Sequence, residues 1–426
     1  MFHRLQLENF KAWKKADMRL APLTGLFGTN SSGKTSILQF LLMLKQTVES
    51  SDRALVLNLN GNYVELGTFR DMVSNFDTNQ SLKFSIDYEA VQLGNSGLVL
   101  VPCTFDCQLS LDENDKILLD FYKYYYQLDE EFYSLTRDEK IYIFQSSLSR
   151  EKLIGIGKPE HFYSVPDDII RGDGSMGLEI LFKGIHYLGP LREYPKRTYI
   201  QEFRSQIGSR GEYFVGVILN ARTENETIED NEGTSYSLET YLAKWLRDLG
   251  LIQDFKIDSI TEGGRLFEVR VRQTEKSPYV LLTDVGFGVS QILPVLTMCY
   301  YTPKGSILLM EQPEIHLHPR VQAGLADVFI DAIQKRGVQI ILESHSEHLL
   351  RRLQLRIAQE KFSSDEAALY FCEIKEGYSE LRDLQLDEFG NIKNWPDNFF
   401  GDEMSEVFQM SEAIAERKKK AKLNGK

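Results

Sequence analysis

The 426-residue sequence has no uncharged apolar run of about 18 residues, so no membrane-spanning helix is expected. Its N-terminus, MFHRLQLENFKAWKK, alternates apolar and charged residues and builds no apolar signal core, so export is not expected either. Cysteine is scarce. The four present (Cys103, Cys107, Cys299, Cys372) lack CxxC spacing and a neighbouring His cluster, which argues against a zinc site and for a reduced, cytoplasmic protein. Basic charge is also short: 49 Lys and Arg stand against 62 Asp and Glu, a net charge of −13 that argues against a coat for non-specific nucleic-acid binding. Local basic clusters remain. The run ERKKKAKLNGK (416–426) reads first as a solvated, frayed terminus. Arg192, Lys196, Arg197, Arg204 and Arg210 would either give a salt-sensitive grip on DNA or pair with the many carboxylates. No internal repeat or low-complexity segment is visible.

What is present is an α/β pattern. RLQLENF and MRLAPLTGLFG read as strands, and KTSILQFLLMLKQTV reads as a largely buried helix. From 80 to about 150, LKFSIDYEAVQL, LVLVPCTFDCQLSLD and KILLDFYKYYYQL follow one another as strands, an antiparallel insertion separated by Asn, Gly and Asp turns. Its aromatic stretch FYKYYYQLDEEFY is expected as a strand buried on two sides, or as a surface that docks a partner. SLETYLAKWLRDLG is helical and FKIDSITEGGRLFEVRVRQ a strand pair. GSILLMEQPE and GVQIILESHSE place continuous β-type apolar runs ahead of polar residues, as central parallel strands require.

Residues 28–35, GTNSSGKT, match G-x4-G-K-[ST] between a strand and a helix. Gly28 and Gly33 let the backbone wrap a phosphate, and the N–H groups from Asn30 onward point inward as an anion nest. The positive end of the following helix faces the same point. The residues expected to cradle the nucleotide are therefore Gly28, Asn30, Ser31, Ser32, Gly33, Lys34, Thr35 and Ser36. Lys34 reaches the β- and γ-oxygens and the Thr35 hydroxyl ligates Mg²⁺. Further on, GFGVSQ (286–291) opens a helix, Glu311 ends one hydrophobic strand and His345 ends the next, an ordered trio.

At these residues the sequence resembles the ABC-type ATPase heads of the SMC and OLD (overcoming lysogenization defect) class. LENFKAW is similar to that family's first strand, and GPLREYPKR with IGSRGEY is similar to its bacterial defence-associated branch. The resemblance covers 1–45 and 186–350 well and 80–185 hardly at all. It implies an α/β P-loop NTPase head, with a mixed central sheet and flanking helices, a β-rich insertion and a helical lid. The implied division is 1–79 (ATPase lobe with the P-loop), 80–185 (insertion), 186–275 (lid), 276–375 (ATPase lobe with the signature, acid and switch His), and 376–426 (an uncharacterised C-terminal domain with a basic tail).

The resemblance further implies an ATP sandwich between two copies. One subunit's P-loop and the other's signature (Gly288, Ser290, Gln291) enclose each ATP. Glu311 holds Mg²⁺ or its water, with Thr35, and His345 senses the γ-phosphate. Gln312 stands where such heads carry the glutamate that polarises water, and an amide accepts no proton at neutral pH. Three readings stay open: slow turnover with the clamped dimer as the working state, Glu314 or another residue as base, or a position changed to trap the complex. Lys11 touches ribose or phosphate, or is a solvated turn residue. His316 and His318 read as part of a dimer-facing loop rather than a metal pair, and His348 as helix-cap region. No Q-loop glutamine is placed.

No acidic cluster of the Glu…Asp-x-Asp nuclease type follows the head. The function expected is therefore an ATP-dimerised sensor and scaffold for a separate effector, a nuclease or toxin, in bacterial anti-phage defence. The alternative is a DNA-repair-type ATPase clamping duplex DNA, through basic residues of the lid or the C-terminus.

Overall fold

Strands β1 (Phe2–Phe10) and β2 (Trp13–Arg19) form a hairpin, and β3 (Leu23–Gly28) departs from it into a different sheet. The sequence over 18–28 reads as one strand, and the structure divides it at Pro22, which has no N–H for a ladder. Leu20 closes the hairpin by donating to the His3 carbonyl (2.7 Å), and the Thr24 hydroxyl takes the Ala21 N–H (3.0 Å) as the chain turns. Helix α1 (Lys34–Val48) and the short α2 (Phe69–Met72) follow. This computed structural model describes residues 1–426 except 95–96, 129, 140, 148–152, 157–158, 165–173, 231, 397–398, 400–409, 412 and 415–426. The basic tail expected at 416–426 therefore lies outside the described residues.

Next come β4 (Leu82–Gly94), β5 (Gly97–Leu111), β6 (Ile117–Tyr126), β7 (Glu131–Asp138), β8 (Ile141–Ser146) and β9 (Leu153–Ile156). They extend the first hairpin into one eight-stranded antiparallel sheet, β2-β1-β4-β5-β6-β7-β8-β9, with Leu5 opposite Ile86. The segment from residue 80 is thus continuous with the N-terminal strands. The aromatic stretch alternates: Tyr122, Tyr124 and Tyr126 are buried, while Phe121, Lys123 and Tyr125 are half-buried. It is buried fully on one face, not two. Tyr124 and Tyr122 donate their hydroxyls to the carbonyls of Tyr163 (2.7 Å) and Ser164 (3.1 Å), so these phenols enter the core with partners.

Helix α3 (Gly174–Lys183) leads to β10 (Ile185–Leu188). The lid region holds β11 (Tyr199–Ile200), α4 (Phe214–Thr223), β12 (Thr227–Glu229), β13 (Ser235–Ser237), α5 (Leu238–Asp248), β14 (Asp254–Ser259), β15 (Leu266–Arg272) and β16 (Val280–Leu281). Then come α6 (Gly288–Tyr301), β17 (Ile307–Glu311), α7 (Pro319–Arg336), β18 (Gln339–Glu343), α8 (Glu347–Ala358), β19 (Ala367–Lys375) and β20 (Tyr378–Asp383).

The central sheet has the order β10-β17-β18-β3-β19-β20, parallel except for its last strand. Its strands are apolar on both faces because each face meets a separate core. Leu308, Met310, Ile340, Leu342, Leu369 and Phe371 face the core of the lid and C-terminal helices. Ile307, Leu309, Ile341, Ala368 and Tyr370 face α1 and the antiparallel sheet. Gln339, buried, staples the two sheets: its side-chain amide accepts from Phe2 N–H (2.9 Å) and donates to the carbonyls of Phe2 (2.8 Å) and Ala21 (3.1 Å). The result is an α/β fold, with helices flanking a mixed central sheet and a β-rich antiparallel region beside it. The boundary placed at 375/376 falls in the β19–β20 turn. Beyond it, Phe399 packs on Phe371 (4.8 Å between ring centres) and Phe27 (6.1 Å).

Candidate active site

The P-loop bends where the chain leaves β3. Gly28 has φ 135°, and a Cβ there would lie 2.0 Å from the Cys372 carbonyl oxygen of neighbouring β19. Gly33 has φ 90°, and a Cβ would lie 2.4 Å from Ser379 Oγ. Neither position accepts a side chain. Ser31 between them is also left-handed, at φ 61°, and Asn30 beside it is exposed. Trp13 Nε1 donates to the Gly33 carbonyl (3.0 Å), tying the first hairpin to the loop. Helix α1 starts at Lys34 without a side-chain cap, so its first N–H groups lack partners within the helix. Lys34 Nζ lies back across the loop, donating to the carbonyls of Thr29 (2.7 Å) and Gly28 (3.1 Å) and to Ser32 Oγ (3.4 Å). Burial lowers its pKa against the opposing pull of Glu343. Ser36, half-buried, donates its backbone N–H to the Gly33 carbonyl (3.1 Å).

Parallel pairing sets Glu311, the last residue of β17, opposite Glu343, the last residue of β18. The Thr35 hydroxyl donates to Glu343 Oε2 (2.6 Å), and the Tyr187 hydroxyl, from β10, donates to Glu311 Oε1 (2.7 Å). Burial, reinforced by the negative Glu343, pushes the Glu311 carboxyl up to about 7, against the hydrogen bond from Tyr187. Two buried carboxylates and a hydroxyl at adjoining strand ends form the hard oxygen donor set that suits Mg²⁺. Thr35 and Glu311 were expected here. Glu343 and Tyr187 were not, although the strand-end Glu343 stands only two positions before His345 in the same motif.

The His345 imidazole is exposed at the rim, and partial burial together with the charge of Lys34 holds its pKa down. The His345 backbone N–H donates to Glu314 Oε1 (2.7 Å). Gln312 has φ 44°, is half-buried, and gives its N–H to the Glu343 carbonyl (2.8 Å). Glu314, weighed in the sequence as a base, is 5% exposed and so turned away from solvent.

The turn at 286–291, expected as the signature, packs on other residues. Phe287 meets His316 (5.4 Å between ring centres) and Tyr194 (5.3 Å), a Cβ on Gly288 would touch Leu317, and one on Gly286 would meet nothing within 4 Å. Ser290 and Gln291 are buried, and Ser290 Oγ donates to the Phe287 carbonyl (2.7 Å). The part of this element that faces outward is therefore the glycine turn, not the Ser290 hydroxyl. His318 caps α7 by accepting the Arg320 N–H, and no group of three His, Cys, Asp or Glu side chains is placed to hold a metal ion among the described residues. Lys11 Nζ donates to Gln39 Oε1 (2.5 Å) on α1.

The basic cluster also resolves. Arg192 is 4% exposed and donates to the carbonyls of Pro190 and Gln312, so it belongs to the interior, not to a DNA-facing surface. Lys196 pairs with Glu193 (3.0 Å), Arg197 with Asp284 (3.3 Å) and Arg204 with Glu202 (3.1 Å). Arg210 is exposed.

A family model described as an AAA ATPase domain matches residues 1–163 and 197–350. The chain belongs to this AAA ATPase family. A second model, described as a protein of unknown function (DUF3696), matches residues 363–410. An OLD nuclease of Thermus scotoductus is 33% identical over 92 residues, which is 21% of this chain and 15% of that protein. The chain thus spans a small part of that relative's length. Among solved structures, an Smc head bound to the C-terminal winged-helix domain of ScpA shares 11% identity over 91% of this chain and 98% of that one (TM-score 0.47). An SMC head domain from Thermotoga maritima shares 12% over 90% and 99% (TM-score 0.44). As a member of the AAA ATPase family the chain is a nucleotide-using ATPase.

Proposed function

We propose that this ATPase binds Mg-ATP, dimerises around it with slow hydrolysis, and serves as sensor and scaffold for a separate effector, a nuclease or toxin, in bacterial anti-phage defence. The observation that carries the nucleotide half is the line Thr35–Glu343–Glu311–Tyr187 beside an uncapped, glycine-flanked helix N-terminus. Phosphate oxygens would take over the partners that Lys34 now finds in the Gly28 and Thr29 carbonyls, and would meet the free N–H groups of α1. Thr35 and Glu311, with Glu343 behind Thr35, would hold a magnesium ion, which when bound neutralises phosphate charge. Tyr187 fixes one Glu311 oxygen and leaves the other for that role.

Dimerisation is supported by the separation within one chain. Phe287 and Gly288 meet Tyr194, Leu251, His316 and Leu317, none of them in the P-loop, and Gly286 is exposed, which leaves this turn available to a second copy's nucleotide. Slow hydrolysis follows from Gln312, whose amide takes no proton, and from the burial of Glu314, which withholds its carboxylate from solvent. Duplex-DNA clamping has less support, because Arg192 is interior and Lys196, Arg197 and Arg204 are paired. Mass measurement in solution with and without Mg-ATP, on wild type and Lys34→Ala, tests the proposal. A doubled mass only for wild type with nucleotide supports it, and an unchanged mass overturns the dimer. DNA cleavage by the purified chain alone overturns the separate effector.

A further inference from the structure

Three loops leave the sheet side by side, after β10, β17 and β18, and two buried side chains join them. Glu314 accepts the His345 N–H through Oε1 (2.7 Å), and its Oε2 is buried without a hydrogen-bond partner. Arg192, from the loop after β10, donates to the carbonyls of Pro190 (3.1 Å), Gln312 (3.0 Å) and, more weakly, Glu311 (3.4 Å), while its Nε finds no partner. The guanidinium is near enough for its charge to act on Glu314. A carboxylate and a guanidinium are both costly to bury, and they are tolerated where each offsets the other and holds backbone groups besides.

We propose that Glu314 is a positioning residue, the strut that fixes His345 relative to the Glu311–Gln312 turn, and not the proton acceptor that position 312 lacks. The assignment rests on the ATPase reading above. A base needs an oxygen open to the attacking water, whereas one Glu314 oxygen is committed to a backbone N–H and the other is enclosed. A strut needs only an acceptor of the right reach. Glutamine supplies one and alanine does not, so the two roles separate cleanly by substitution.

The test uses Glu314→Gln, Glu314→Ala and Glu314→Ala/His345→Ala in the full chain, with two readouts. Hydrogen exchange at the His345 amide is expected to quicken about tenfold or more in Glu314→Ala and by less than about threefold in Glu314→Gln. ATP turnover is expected to fall at least about tenfold in Glu314→Ala and about threefold in Glu314→Gln. Glu314→Ala should cost less than about twofold further when His345 is already alanine, because a strut acts through what it holds. Glutamine as damaging as alanine overturns the proposal, since it would mean that the ionised carboxylate itself is used. Unchanged exchange in Glu314→Ala also overturns it. Should Glu314→Ala not fold, turnover of Glu314→Gln decides alone, with a loss beyond about tenfold against the strut. Lys34→Ala runs alongside. Wild-type turnover no higher than that of Lys34→Ala would sink the ATPase reading, while the exchange readout would still decide what Glu314 holds.

Discussion

The two sheets of this ATPase treat their polar residues in opposite ways. In the eight-stranded antiparallel sheet, polar side chains find one another across strands: Ser85 donates to Asp106 (2.6 Å), Thr104 to Asp87 (2.7 Å), Ser110 to Asp120 (2.9 Å), and Arg137 clamps Asp120. In the central sheet the strands are mostly apolar and, apart from Gln339, Thr24 and His186, the polar residues gather towards the C-terminal ends. There the left-handed Gly28, Ser31, Gly33 and Gln312, the uncapped α1, and a Glu311 carboxyl raised to about 7 accumulate in one place. Strain and unmet charge are tolerated where a ligand relieves them. The first sheet is built to be stable, the second to bind.

The most damaging way to sharpen that contrast is Lys34→Ala, for which we expect ATP affinity to fall by about two to three orders of magnitude, consistent with loss of the P-loop lysine's charge contact. Titration with a fluorescent ATP analogue checks it, and an affinity within tenfold of wild type would contradict the site. Phe105→Ala is the counterpart in the antiparallel sheet. The ring is fully buried against Tyr124 (4.6 Å between centres) and Phe84 (6.0 Å), so denaturation should show a loss of ~3–5 kcal/mol with ATP affinity unchanged. A parallel fall in affinity would show that the sheets do not divide their roles. Gln312→Glu is expected to raise turnover about tenfold or more by restoring a proton acceptor, and a rate no higher than wild type in a phosphate-release assay would mean that position 312 is not the limit.

A pH effect is smaller. The Glu311 carboxyl lies at about 7 in the folded chain against an ordinary value of 4.5, so the folded state holds its proton more tightly. Its contribution is present at low pH and is lost as pH rises through 4.5 towards 7. Without nucleotide, Glu311→Gln should therefore melt higher than wild type at pH 8, by on the order of 2 °C, and about equally at pH 5. The reverse pattern would mean that the carboxylate is already compensated. The smallest change is predicted for Arg197→Ala with Arg204→Ala. Both residues are exposed and ion-paired, so duplex-DNA binding should move by less than about twofold at physiological salt, and a steep loss would revive the clamp.

Much of the central sheet was legible in advance. GTNSSGKT, ILLME and QIILES carry their meaning locally, through glycine conformation and strand-length apolar runs that end in a polar residue. The antiparallel region was legible as strands but not as part of the first sheet, because the pairing of Leu5 with Ile86 leaves no mark in either stretch. The break at Pro22 was present in the letters and was overridden by the apolar run around it. Arg192 looked like its neighbours Lys196 and Arg197, and only packing shows that it turns inward.

By itself the sequence determined the glycine-rich loop between strand and helix, the apolar strand that ends in Glu311, and an α/β class, since these depend on spacing and on local backbone preference; the strand before His345 ends two residues earlier, at Glu343. Tertiary structure alone decided that Glu343 and Tyr187 gather beside Glu311, that Glu314 is enclosed, and that in the 286–291 turn Gly286 is exposed while Ser290 is buried. The reason is that strand pairing and burial join residues more than a hundred positions apart, as Tyr187 and Glu311 are, and no local pattern encodes which distant partner a side chain will meet.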